Sequence, residues 1–217
     1  MNELTTLQQI AIWTLPVIFA ITVHEAAHGW IAAKLGDRTA ELQGRLTLNP
    51  IKHIDPIGTI VLPLVLLILG GVIFGWAKPV PINPNNFKNP RKDMAKVAIA
   101  GPASNFLMAI GWAILLKIGT LLTADMPSIG LFLIYSGMAG ISINLVLLVL
   151  NLIPIPPLDG SRVVSAFLPP KLAYQYNLIE PYGFLILLGM IFLGLLTPLM
   201  AGPYEWLRHF ILNLIGI

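Results

Sequence analysis

The stretch FAITVHEAAHGWIAAKL, residues 19–35, sets His24, Glu25 and His28 inside an apolar, helix-forming run. Ionisable side chains are costly in such a place unless a partner or an ion compensates for lost water. His24 and His28 are four residues apart, so a helix puts both imidazoles on one face, one turn apart, where they can converge on a single ion. Glu25 lies beside them, placed to hold a water on that ion. H-E-x-x-H on a helix is the pattern of two zinc ligands and a general base. A hydrogen-bonded trio inside a helix bundle is the bland alternative. It must account for three costly groups at ligand spacing, which a metal explains together.

The rest of the chain reads as membrane protein. Of its 217 residues 56% are hydrophobic and 11% charged, and the mean hydropathy is +0.81, more apolar than a soluble core of this size requires. Apolar runs lie at 7–33, 58–76, 97–119, 129–151 and 178–200, most of them near the ~20 residues of a spanning helix. A shorter tail, 203–217, carries Glu205, Arg208 and His209 and reads as an interfacial or half-spanning helix. The expectation is an all-α polytopic membrane protein with five to six membrane segments and a single domain, 1–217, since no polar stretch is long enough for a core of its own. The first run is long and lacks a basic leader, so it is expected to stay in the mature protein. The chain has no cysteine, which excludes disulfides and thiolate metal sites. Its basic residues flank membrane runs without forming an aromatic-interleaved stripe, so the expected environment is the lipid bilayer and nucleic acid is not an expected partner.

Two polar connections, 33–56 and 77–96, decide the topology. The first alternates around AELQGRLTL (40–48) and predicts a short strand or hairpin; the second, rich in Pro and Asn, predicts a turn-rich loop. Lys34, Arg38, Arg45 and Lys52 fall in the first, Lys78, Lys88, Arg91, Lys92 and Lys96 in the second, Arg162 and Lys171 after 151, and no basic residue in 120–128. All of these lie on the cytoplasmic side if the run 58–76, with Pro63, Gly70, Gly71 and Gly75, dips in and returns; a full crossing would split them between faces. The charge count favours the re-entrant path. That path also brings the ends of 7–33 and 129–151 to one face.

The second of those ends continues as VLNLIPIPPLDGSR (149–162). Pro154, Pro156 and Pro157 break the helix, and irregular backbone at membrane depth is tolerated where it lines a cavity or is buried in protein. Asp159 is therefore a plausible third ligand, or else the N-cap of a helix DGSRVVSAFL.

HEAAH in an early membrane helix, followed by NLIPIPPLDG (151–160) of the form NxxPxxxLDG, resembles the site-2 protease family of intramembrane zinc metalloproteases. GRLTLNPIKHIDPIGTI (44–60), GWAKPVPINP (75–84) and AGPASNF (100–106) are similar to its small single-domain branch, so the likeness covers most of the chain. It implies one zinc held by His24, His28 and Asp159, Glu25 as catalytic base, and membrane-anchored protein substrates cut within or next to a transmembrane segment. Asn151 is implied as an oxyanion donor, with capping of the broken helix as the other reading. Asn105 and Asn144 read first as bridges between membrane helices, His53 and Asp55 as loop-shaping or site-supporting groups, Gly101 and Pro102 as the start of a helix, and Glu180 as interfacial. An unwound substrate is expected to pair with a strand edge in 33–56 or 77–96. The rival class is a non-enzymatic metal-binding membrane protein or transporter, which predicts further intramembrane acids or histidines along a path; few occur. A serine protease is disfavoured, because no GxSxG is present. The expected location is a prokaryotic inner membrane with the active site nearer the cytoplasmic face; substrate identity and oligomeric state are not legible. A reporter fused within 77–96 is expected to read cytoplasmic, and an external reading would rule out the re-entrant path.

Overall fold

The computed structural model describes residues 4–62, 64, 65 and 75–217. Among them the chain is helix and turn: α1 (Thr6–Lys34), α2 (Thr39–Leu42), α3 (Pro90–Leu122), α4 (Pro127–Asn151), α5 (Asp159–Phe167), α6 (Pro170–Asn177), α7 (Glu180–Phe192) and α8 (Leu196–Leu214). Short 3-10 turns at Pro50–His53 and Pro84–Asn86 and a π turn at Pro56–Val61 lie in the connections. α1 opens on a capping box, in which Thr5 Oγ1 accepts from Gln8 N at 3.3 Å and Gln8 Oε1 accepts from Thr5 N at 2.9 Å.

α1, α3 and α4 are long and apolar enough to cross a membrane, and α7 with α8, bent by 85°, make a fourth candidate. Among the described residues this makes three or four spans, against the expected five to six membrane segments. One cause is Gly194. At φ +68° it takes the left-handed conformation that ends α7, with Gly194 N on Ile191 O and Leu195 N on Met190 O. The run 178–200 is thus divided between two helices, and α8 takes in the 203–217 tail as far as Leu214. The other cause is the run 58–76, whose interior lies outside the described residues. Its described ends meet: Trp76 N donates to Gly58 O at 3.1 Å and Thr59 Oγ1 to Trp76 O at 2.9 Å. A straight helical crossing would hold those ends about 27 Å apart.

The strand or hairpin expected around 40–48 is also absent; no strand occurs among the described residues. Asp37, fully buried, takes control of the chain there. Its Oδ1 accepts from Thr39 N at 3.1 Å and Asn86 Nδ2 at 2.7 Å, and its Oδ2 from Asn83 N at 2.7 Å. α2 starts at once, and Gly44 N on Glu41 O and Arg45 N on Ala40 O close it. The backbone donors a hairpin would need are used locally, and Gly44 at φ +63° turns the chain away.

Lipid offers no hydrophobic drive between helices, so close approach decides their affinity. A Cβ on Gly137 would come within 2.7 Å of Leu116 Cβ, and one on Gly119 within 2.8 Å of Ile134 N. Small residues therefore let α3 and α4 touch along their length. Ala109, Ala113 and Leu116 of α3, Ile141 and Leu145 of α4 and Ile211 of α8 form a buried cluster. Leu7, Ile10, Leu15 and Phe19 of α1 and Leu107 and Leu121 of α3 point outward and are exposed, as a lipid-facing surface requires.

Asp37 also carries a pH dependence. Burial pushes its carboxyl up, but the Thr39 hydroxyl, the Asn86 amide and the N–H groups of Asn83 and Thr39 outweigh that and hold it below the ordinary range. Its contribution is present above the unfolded-state value and is lost as pH falls through the lower folded value. Asp37→Asn should destabilise the detergent-solubilised protein by about 1.5–3 kcal/mol at pH 7. The gap from wild type in thermal unfolding should close as pH drops below about 4.

Candidate metal centre

α1 carries His24 and His28 about two thirds of the way along its length, both buried. Their rings meet edge to face, 4.7 Å between centroids. α3 crosses against them at Gly101, where a Cβ would fall 2.4 Å from His28 Nε2 and 2.6 Å from His24 Nε2. Only a residue without a side chain lets α3 come this close. Gly101 and Pro102 thus lie in the interior of a 33-residue helix, whereas the sequence placed them at a helix start.

Each imidazole is fixed through its other nitrogen. His28 Nδ1 is 2.7 Å from the carbonyl oxygen of Val97, which can only accept. His24 Nδ1 is 2.6 Å from Asn105 Oδ1, and Asn105 Nδ2 donates to Ala20 O at 3.2 Å and Asn144 Oδ1 at 2.9 Å. Asn105 therefore presents its oxygen to His24, and each Nδ1 is the donor in its contact. That turns the two Nε2 atoms toward one another, 3.0 Å apart.

The third group comes from the broken stretch after α4. Asp159 is the first residue of α5, and its Oδ2 lies 3.3 Å from each Nε2. Helix capping is not what its side chain does: the N-cap is Leu158, with no side-chain cap bond. Asp159 Oδ2 is buried and has no hydrogen-bond partner. Two imidazole nitrogens and a carboxylate oxygen thus face one another across 3.0–3.3 Å. A proton would satisfy one pair of these atoms; a divalent cation would satisfy all three. His₂Asp with an open side fits zinc in ligand type and number, and each histidine already has the outer partner that orients a metal-bound imidazole. Among the described residues this is the one group of three or more such side chains positioned to hold an ion.

α5 is held in place from two sides. Arg91, at the start of α3, donates to the carbonyls of Ser165 at 2.7 Å and of Leu168, closing the far end of α5. Gly160 lets α5 sit on the end of α4, since a Cβ there would be 2.2 Å from Leu152 O. Arg162 pairs with Glu180, so the residue expected to be interfacial ties α7 to α5.

The trio opens into a cleft of about 310 Å³. Glu25 lines it, and its Oε2 accepts from Val80 N at 2.9 Å. The segment that carries Val80 is held by Arg45 Nη2 on Lys78 O at 3.0 Å and by Lys78 N on His53 O at 2.9 Å. His53 also places Nε2 2.9 Å from Thr47 O, and Asp55 caps Pro56–Val61. Both shape the loop. Asn151, the last residue of α4, lines the cleft and donates to Leu147 O at 2.9 Å. Val80, Ile82, Met94 and Val97 supply apolar walls.

The sequence reading named every member of the trio and Glu25. It underrated Asn105 and missed the roles of Gly101, Arg91 and Arg45. For Gly101 a signal existed, a glycine within the apolar run 97–119. The arginines gave none beyond their charge.

Three comparisons bear on the chain. "Putative zinc metalloprotease YwhC" of Bacillus subtilis is 41% identical over 193 residues, covering 85% of this chain and 80% of that protein. "Putative zinc metalloprotease Rip2" of Mycolicibacterium smegmatis is 29% identical over 201 residues, 92% of this chain and 72% of its own. "Stage IV sporulation protein FB" of Bacillus subtilis is 29% identical over 188 residues, 81% and 58% respectively. No family model matches. No solved structure matches.

Two substitutions test the centre. Gly101→Ala should reduce bound metal to background in elemental analysis, because the added methyl occupies ligand space. Asn105→Leu should leave helicity intact and weaken zinc binding about 10- to 100-fold in competition with a chelator.

Proposed function

The chain belongs to the site-2 protease family of zinc metalloproteases, and from that premise we propose that it hydrolyses peptide bonds within or next to the transmembrane segments of membrane-anchored proteins. The observation that carries this reading is the meeting of His24 Nε2, His28 Nε2 and Asp159 Oδ2 at one point, beside a glutamate in an open cleft.

In this reading His24, His28 and Asp159 hold one zinc per chain. When bound, zinc supplies Lewis-acid polarisation and makes a water acidic near neutral pH. Glu25 is the general base. One of its oxygens is engaged by Val80 N–H, which fixes the carboxylate plane. The other oxygen is left to take a proton from the attacking water and return it to the leaving amine. Asn151 is the candidate donor for charge developing on the carbonyl oxygen. Its amide presently serves the end of α4 and would have to turn from Leu147 O into the cleft.

The cleft's dimensions bear on the substrate. A helix is about 10–12 Å across with its side chains, so about 310 Å³ holds only a few extended residues. A membrane helix must unwind locally before its amide reaches Glu25. The apolar walls at Val80, Ile82 and Met94 suit side chains of the kind such a helix provides. The segment at 78–80 offers little free edge for pairing, since the carbonyls of Lys78 and Pro79 are held by Arg45 and the N–H of Val80 by Glu25. We place the site in a prokaryotic inner membrane, opening toward the cytoplasm, on the charge distribution of the connections. A transporter would need a series of such groups, and the described residues hold a single one.

Glu25→Gln should retain one zinc per chain and lose roughly 10²- to 10⁴-fold in cleavage of a fluorogenic transmembrane peptide. Asn151→Ala should lower kcat by roughly 10²-fold with KM little changed; an unchanged kcat assigns Asn151 to helix capping alone.

A further inference from the structure

α8 packs alongside the spanning helices α3 and α4. Tyr204 Oη lies 3.1 Å from Ser142 Oγ of α4, Phe210 stacks on Phe106 of α3 with 6.4 Å between ring centroids, and Ile211 is fully buried among Ala109, Ala113, Ile141 and Leu145. Near its end Lys117 Nζ donates to Gly216 O at 3.2 Å. The helix has 19 residues, and Glu205 is its midpoint. The face turned away from α3 and α4 sets a polar stripe beside the exposed aromatic rings of Trp206 and Phe210. Glu205, Arg208 and His209 have side chains 50%, 39% and 71% exposed. Gly202 and Asn213 continue the same exposed face, one turn before and two turns after Glu205. Arg208 Nη1 donates to Glu205 Oε2 at 3.2 Å within the helix, and His209 Nε2 is 4.0 Å from the same oxygen. Ionised groups half-way through a membrane face protein or a watery cavity and not lipid, so this face calls for a cover.

We propose that the cover is a second copy of this chain, docked α8 to α8. Two copies inserted with the same topology are related by a two-fold axis along the membrane normal, so their α8 helices meet in parallel and residues of similar height face one another. Glu205 and Arg208 lie about 4.5 Å apart along the helix axis and flank one face. Glu205 of each copy can then bond Arg208 of the other, and the interface balances its own charge. A partner of different sequence would need a matching acid and base of its own. Gly202, where a Cβ would meet no atom within 4 Å, lets the two backbones approach. No residue lining the metal cleft lies on α8, so docking here leaves both clefts open.

The chain has no cysteine, which makes a direct test simple. In proteoliposomes, Gly202→Cys should give an oxidised dimer, whereas Leu107→Cys on the lipid-facing side of α3 should not. In nanodiscs loaded at low protein density, single-molecule photobleaching should count two wild-type chains per particle. Glu205→Arg or Arg208→Glu alone should cut the dimer fraction about tenfold or more through like-charge contacts, and the double exchange should restore it. Zinc content, read on each variant, separates loss of the dimer from loss of the fold. A wild type that stays monomeric across lipid-to-protein ratios, reversals without effect on a dimer, or a Gly202→Cys cross-link only to a different protein would each overturn the proposal.

Discussion

The hydrogen bonds of the Asn105 side chain tie the structure together. One amide, fully buried, receives the Nδ1 proton of His24 from α1 and donates to Ala20 O of α1 and Asn144 Oδ1 of α4. Asn144 in turn donates to Gly140 O. In a medium without water each of these polar groups would be unsatisfied if the helices shifted by a turn. The relative height of the three helices is therefore fixed by the same bond that selects the tautomer of His24. Fold and site chemistry share a single constraint.

Around that bond, distances are set by absence of side chains. Gly101 lets α3 reach the imidazoles, Gly137 and Gly119 let α4 run against α3, and Gly160 seats α5 on the end of α4. Arginines counted at first only as topology signals prove to hold backbone. Arg91 closes α5, which carries Asp159, and Arg45 holds the segment that presents Val80 N to Glu25. Each ligand thus sits on a rigid element whose far end is fastened to another part of the chain.

Much of the site was legible because its information is local. HEAAH puts two ligands on one helical face through spacing alone, and LDG follows a proline-broken stretch that has few other uses at membrane depth. The three long helices were legible for the same reason, as unbroken apolar runs. What escaped was relational. Nothing in AGPASNF tells that Gly101 faces two imidazoles, because the value of a glycine depends on what approaches it. The alternation of AELQGRLTL suggested a strand, but a strand needs a partner, and Asp37 closes that stretch with local bonds before one can form. The run 178–200 was long enough to span, yet Gly194 in the left-handed region divides it, a conformation that composition does not reveal. The charges in 203–217 suggested an interfacial or half-spanning helix, and what they did not tell is that its apolar face packs beside α3 and α4.

The central claim is that His24, His28 and Asp159 form one zinc site whose geometry the Asn105 bond imposes. Zinc-edge X-ray absorption on purified protein tests it most directly. The account predicts a first shell with two imidazole nitrogens at about 2.0–2.1 Å and a carboxylate oxygen at about 2.0–2.2 Å, losing the carboxylate in Asp159→Ala. A shell with fewer than two imidazoles, or one that Asp159→Ala leaves unchanged, would contradict it.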